Sequence, residues 1–275
     1  MAILVQTARL LKSILGSFLV NESIEDLVIG LFFTGVKLSN GAGGLCYTPI
    51  KEIPDAVCCP SSAGRVFDPK QIRGMKVVEV LEGLTSGQIM KKTVAIAVLN
   101  ALSTLCWEKV GSVYGMETGR DALEAVRLLE DDSVAVVGAI VPVLRRLKAR
   151  GGKWWVIEQD PRVLKPDEMN HFVPWKESAE VLNQANVVIS TGVTLINDTL
   201  ETILSHAKKS AEIAVIGPTA SMLPDALFEW GVTLVGGVWV READKVLKVI
   251  AAGGSGYHFL DRYAERIVLR KTAAS

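Results

Sequence analysis

One alternation constrains this chain more than any other feature. From Ser133 onward, short apolar runs at Ser133–Ala139, Lys153–Glu158, Asn186–Ser190, Glu212–Ile216 and Thr233–Val240 read as strands. Amphipathic stretches at Val143–Arg150, Lys176–Gln184, Leu195–Lys208, Asp225–Trp230 and Ala243–Ala251 fall between or after them and read as helices. Nearly continuous apolar strands are what a parallel sheet buried on both faces requires. Right-handed crossovers then leave few topologies other than α/β, with helices covering both sides of the sheet.

Residues 1–131 follow a different grammar. Ile3, Leu4, Leu10, Leu11, Ile14, Leu15, Phe18 and Leu19 recur near helical spacing and predict an amphipathic surface helix. Leu27–Lys37 reads as a strand, Ser39–Gly44 as a glycine-rich turn and Gly44–Thr48 as a second strand, together a β-hairpin. Ile50–Gly74, preceded by Pro49 and containing Pro54, Pro60 and Pro69, has little periodicity and reads as a long loop of the kind that often carries function. Gln88–Leu105 reads as an apolar helix, and Thr118 with Asp121 has the spacing of a capping box opening a helix over Ala122–Glu130. The expected organisation is therefore an α+β domain over 1–131 and a parallel-sheet domain over 132–275.

Several function classes are disfavoured by the bulk numbers. Thirty Lys plus Arg balance thirty Asp plus Glu, so no basic field recommends a nucleic-acid partner or an anionic membrane. The stretch Ser133–Leu147 is broken by Pro142 and carries Arg145 and Arg146 near its end, which argues against a membrane span. Arg9 and Lys12 interrupt what a leader would need as its apolar core, so a cytoplasmic location is expected. Four cysteines do not make a disulfide framework in a chain this long.

In an open parallel sheet, ligands sit beyond the carboxyl ends of the strands. The first such end presents Gly138 and then Ala139, Ile140, Val141 and Pro142. A dinucleotide fingerprint would need glycine at 140 and 143, where this chain has Ile140 and Val143, so ordinary NAD binding is disfavoured. Glu158 ends the second run, twenty positions after Gly138, where an acid receives ribose hydroxyls in this architecture; a solvated strand-end carboxylate is the bland alternative. The third end supplies Thr191, Gly192, Thr194, Asn197 and Asp198; the fourth supplies Gly217, Thr219 and Ser221; the fifth passes through Gly236 and Gly237. Each residue alone is explained by cap and turn chemistry, but the cluster predicts a small-molecule pocket. Asn100, an amide inside VAIAVLNALSTL, must either tie down a loop or face a cleft between the halves, and Tyr47 and Thr48 carry the same ambiguity. His171, His206 and His258 show no metal-binding spacing, Cys58–Cys59 could offer sulfur ligands, and GxSxG and P-loop signatures are missing. GGSG at 253–256 reads as a flap or a linker, and Val238–Trp239 as core or a surface for homo-oligomer formation.

The stretches GLCYTP, KKTVAIAVLNALS, VAVVG, VIEQDP, STGVTLINDTLETIL and IGPTASMLPDALFEWGVTLVGGVWV, with the GGSG segment, resemble the "putative heavy-metal chelation" family over nearly the whole chain. The resemblance implies an N-terminal domain similar to the enolase N-terminal fold and a Rossmann-like three-layer domain partly similar to methyltransferases, with an active site between them. It also implies synthesis or processing of a metal-chelating metabolite of flavin, pterin or siderophore type. On this reading Tyr47, Thr48, Asn100, Glu158, Thr191, Thr194, Asn197, Gly217 and Thr219 belong in the cleft, and a nucleoside- or pterin-like ligand suits the glycine-poor turn. The first expectation is an enzyme of condensing, hydrolytic or group-transfer type. Glu158 would act as acid/base or hydroxyl holder, and Asn100, Thr191 and Thr194 would orient the substrate. The alternatives are a metal or metal-chelate binder without turnover, and a non-catalytic nucleoside-binding sensor.

Overall fold

The structure, a computed structural model, describes residues 2–53, 67–110 and 115–271. Its strands are β1 (Ile24–Ile29), β2 (Phe33–Leu38), β3 (Gly43–Tyr47), β4 (Glu117–Thr118), β5 (Val134–Val137) and β6 (Trp154–Glu158). They continue with β7 (Phe172–Pro174), β8 (Val187–Thr191), β9 (Glu212–Ile216), β10 (Leu234–Val240) and β11 (Ala264–Arg270), and all eleven join one sheet. The path runs β1-β2-β3-β10-β9-β8-β5-β6-β7, with β11 antiparallel to both β10 and β4. From β7 to β10 every pairing is parallel. Counted from β5, the order is third, second, first, fourth, fifth, sixth, which is the Rossmann order.

All five expected parallel strands are present, and their composition follows from burial on two sides. Val134 and Val136 pack with Val143, Leu144 and Leu147 of the Val141–Arg150 helix. Ala135 and Val137, pointing the other way, join the core that holds Leu182, Leu200 and Ile203. Three strands escaped the sequence reading: β4, only two residues long, β7, three residues long and ending in Pro174, and β11, whose apolar positions are interspersed with Glu265, Arg266 and Arg270.

The N-terminal half is a helix (Ala2–Leu15), the β1-β2-β3 meander and a long helix (Ile89–Val110). Leu27–Lys37 is not one strand. The chain folds back at residues 30–32, pairing Val28 with Gly35 and Ile29 with Thr34, which supplies ladder partners that one long extended run would lack. The meander reaches the parallel sheet through a pairing of Gly43 with Val240, so the sheet continues across the expected boundary at 131/132. Gly44 is where β3 crosses the long helix. A Cβ there would collide with the Ala97 carbonyl, so only glycine permits this approach. The long helix has the length and hydropathy to cross a membrane, yet 83% of its apolar window is buried inside the molecule.

Three local expectations are corrected. Asp121 is itself the N-cap, accepting from the Leu123 amide at 2.8 Å, because Thr118 is committed to the ladder with Ile267; the helix that follows covers only Ala122–Ala125. Leu195–Lys208 is a 3-10 turn, Gly192–Leu195, followed by a helix, Leu200–His206, with Asp198 at φ 58° between them. The GGSG segment leads into a short helix, Gly256–Phe259, whose first turn is closed by a Ser255 N–H donating to His258 Nδ1 at 3.0 Å. Trp239 is half-buried, edge-on to Trp107 at 5.3 Å and covered by the Arg241 guanidinium, which makes it part of the packing.

Candidate functional site

The chain after β5 enters the Val141–Arg150 helix, which packs on one face of the sheet, while the Leu200–His206 helix after β8 packs on the other. The carboxyl ends of these two adjacent strands therefore diverge, and a cavity of about 430 Å³ opens there. The volume lies within the range of about 300–1,000 Å³ for small-molecule sites. Its walls also include the end of β6 and the segment after β3, so both halves of the chain enclose it.

Gly138 turns the chain out of β5 at φ 90°, a conformation that suits glycine, with its N–H donating to the Ile157 carbonyl at 3.0 Å. The next amide, Ala139 N–H, donates to Glu158 Oε2 at 3.0 Å, and Ile140 N–H turns back to the Gly138 carbonyl at 2.8 Å. These are the turn amides that would greet a phosphate in a dinucleotide fold, and both are occupied. Glu158 Oε1 also accepts from the Gln159 amide at 2.8 Å. A carboxylate offers about four acceptor positions, so Glu158 keeps about two for a ligand.

At the end of β8, Thr191 Oγ1 accepts from the Val193 amide at 3.4 Å. The buried Thr194 hydroxyl donates to the Thr191 carbonyl at 2.7 Å, and Asn197 Oδ1 accepts from the Thr199 hydroxyl at 2.7 Å. Lys92 of the long helix, itself buried, holds Asp198 Oδ2 at 2.5 Å and pins this loop from behind. Across the cavity, Tyr47 is fixed by its N–H donating to Thr219 Oγ1 at 3.0 Å. Lys51 reaches over the rim to Asp160 Oδ2 at 3.1 Å. The Arg162 guanidinium, and after it the Lys51 ammonium, hold the Asp160 carboxyl far below the usual carboxylate range.

Of the residues singled out from sequence, Tyr47, Gly138, Glu158, Thr191, Thr194 and Asn197 line this one cavity. Gly217 instead lines a neighbouring cavity, which shares Ile140 and Thr191 with the first. Thr48, Asn100, Gly192 and Thr219 line neither. Thr48 is turned inward against the Thr34 hydroxyl, 3.0 Å away, because it follows Tyr47 with opposite parity. Asn100 is 1% exposed and donates to the carbonyls of Leu45, Pro218 and Thr219, so it braces backbone behind the wall and does not face ligand. Lys51, Glu52, Gln159 and Trp175 line the cavity unforeseen. The available signal was position, since each lies just beyond a strand end where loops converge.

A protein-held metal does not fit these residues. Among the described residues no group of three or more His, Cys, Asp or Glu side chains is placed to hold an ion. His171 is stacked on Trp154 at 3.5 Å with Nδ1 against the Trp154 carbonyl, and His258 is engaged with Ser255. Cys58 and Cys59 lie outside the described residues.

Two family models match the chain, both described as "Putative heavy-metal chelation", one over residues 121–269 and the other over residues 13–103. An uncharacterized protein of Methanocaldococcus jannaschii is 29% identical over 185 residues, covering 66% of this chain and 67% of its own length. A crystal structure of a protein of unknown function from Pyrococcus horikoshii matches with a TM-score of 0.76 at 21% identity, covering 98% of this chain and 99% of that one. A second, from Desulfitobacterium hafniense, gives 0.69 at 18% identity, covering 96% and 98%. At such identities the two structures establish likeness of fold.

Proposed function

This chain belongs to the family described as "Putative heavy-metal chelation", and on that premise we propose that it binds an uncharged, hydroxyl-bearing metabolite of the nucleoside class at the β5/β8 crevice. One observation carries the reading. The Glu158 carboxylate occupies the place beside the turn where a dinucleotide fold holds phosphate, and it retains acceptor positions facing the cavity. A diphosphate would meet a negative charge and two engaged amides, whereas vicinal hydroxyls would meet an acceptor. Thr191, Thr194 and Asn197 complete a polar wall opposite Tyr47. The family description then refers to handling of a metal-chelating small molecule, with Glu158 as the group positioned for acid/base work if that molecule is turned over.

Calorimetric titration with adenosine as probe tests this. Adenosine should bind, and adenosine diphosphate should bind no more tightly. Glu158→Gln should weaken adenosine about 10- to 100-fold, the worth of about 1.5–3 kcal/mol for hydrogen bonds to a charged acceptor. Equal affinity in the variant, or tighter binding of the diphosphate, would refute the proposal. Stoichiometric uptake of a divalent metal by the intact chain, unaffected by Glu158→Gln, would favour direct chelation instead.

A further inference from the structure

The neighbouring cavity, of about 340 Å³, lies over the carboxyl end of β9 and the middle of β10 and adjoins the first at Ile140 and Thr191. We propose that it is an apolar ring subsite, taking the flat ring of the same ligand whose hydroxyls reach Glu158; this rests on the reading above.

Three observations support it. The wall is built from aliphatic side chains, among them Leu123, Ile140, Ile216, Val238 and Leu260, together with bare glycine backbone at Gly236 and Gly237. Its two charged members neutralise each other. Arg266 Nε stands 3.6 Å from Asp121 Oδ2, the guanidinium also engages Asp261, and Asp121 accepts from the Leu123 amide. Little net charge is left to recognise an ion, so the surface favours apolar matter. Finally, Tyr257 stands at the mouth and is 88% exposed, the most exposed of the large hydrophobic side chains among the described residues. Its ring has no packing role to explain it, and an aromatic ring at the lip of an apolar slot offers a ligand ring stacking contact. The two cavities adjoin, one polar and one apolar, and the pair suits a ring joined to a hydroxylated chain or sugar.

The test uses the fluorescent naphthalene dye 8-anilinonaphthalene-1-sulfonate, with adenosine as competitor. The intact chain should bind one equivalent of dye saturably. Tyr257→Ala should weaken the dye at least about 5-fold, with an unchanged melting temperature because the side chain is exposed, whereas Tyr257→Phe, which keeps the ring, should match the parent. No saturable dye binding, or equal affinity in Tyr257→Ala, overturns the subsite. Adenosine should displace the dye from the parent and require at least about 10-fold more to do so in Glu158→Gln. If adenosine binds by calorimetry without displacing dye, the bipartite site falls while the reading of the first cavity stands. If Glu158→Gln leaves adenosine binding intact, that reading falls, and the dye data alone decide the subsite.

Discussion

Replacing Asn100 by aspartate puts the bracing role of this residue to a test with a worked sign. Asn100 Nδ2 lies 2.7 Å from the Leu45 carbonyl and 3.1 Å from those of Pro218 and Thr219, so two N–H hydrogens serve three acceptors in a site closed to water. Its Oδ1 has no hydrogen-bond partner, a cost the parent already carries. Asn100→Ala removes both donors and leaves buried carbonyls unpaired at roughly 1–3 kcal/mol each, offset in part by loss of the idle oxygen. The expected net destabilisation is about 2–4 kcal/mol, a large part of a typical 5–15 kcal/mol. Asn100→Asp is worse and depends on pH. A neutral carboxyl donates one hydrogen bond, and an ionised one donates none and points charge at three carbonyl oxygens. The introduced group must keep its proton when folded, while in the unfolded chain it loses it near pH 3.9. Above that value the unfolded state binds fewer protons, so the variant should lose about 1.4 kcal/mol per pH unit relative to the parent. Urea unfolding followed by tryptophan fluorescence at pH 5 and pH 7.5 should show a gap wider by about 3 kcal/mol at the higher pH. A gap independent of pH, together with Asn100→Ala within about 0.5 kcal/mol of the parent, would refute the bracing role.

Two further outcomes follow from close packing. Gly44→Ala should cost about 3 kcal/mol, because backbone of the long helix blocks the new methyl, and lower Tm by roughly 6–12 °C; a shift under about 2 °C would remove the argument for that crossing. Burial pushes the Cys46 thiol far above its ordinary range, although Thr219 opposes this, so N-ethylmaleimide at pH 8 should leave the Cys46 peptide unmodified in the native protein and label it in urea. Rapid native labelling by peptide mapping would show that this wall opens.

The parallel strands were legible because burial on two faces leaves a contiguous apolar mark, as in Val134–Val137 and Glu212–Ile216. Strand ends then pointed to Gly138, Glu158 and Thr191 without any knowledge of packing. Other features depend on partners distant in sequence and leave no local trace. The β3–β10 junction is a single pairing between residues 43 and 240, and Lys51 joins the rim only because Asp160 faces it. Asn100 shows the limit most plainly: an amide within an apolar helix must find partners, but nothing nearby in sequence says whether those partners are ligand or backbone.

The crevice is enclosed by Tyr47 and Lys51 from one matched segment and by Glu158 and Thr191 from the other. Neither stretch encloses that crevice alone. A gene that kept one and discarded the other would encode half a wall and an open edge of sheet. A chimaera joining segments from different relatives would therefore have to match both sides of the same opening.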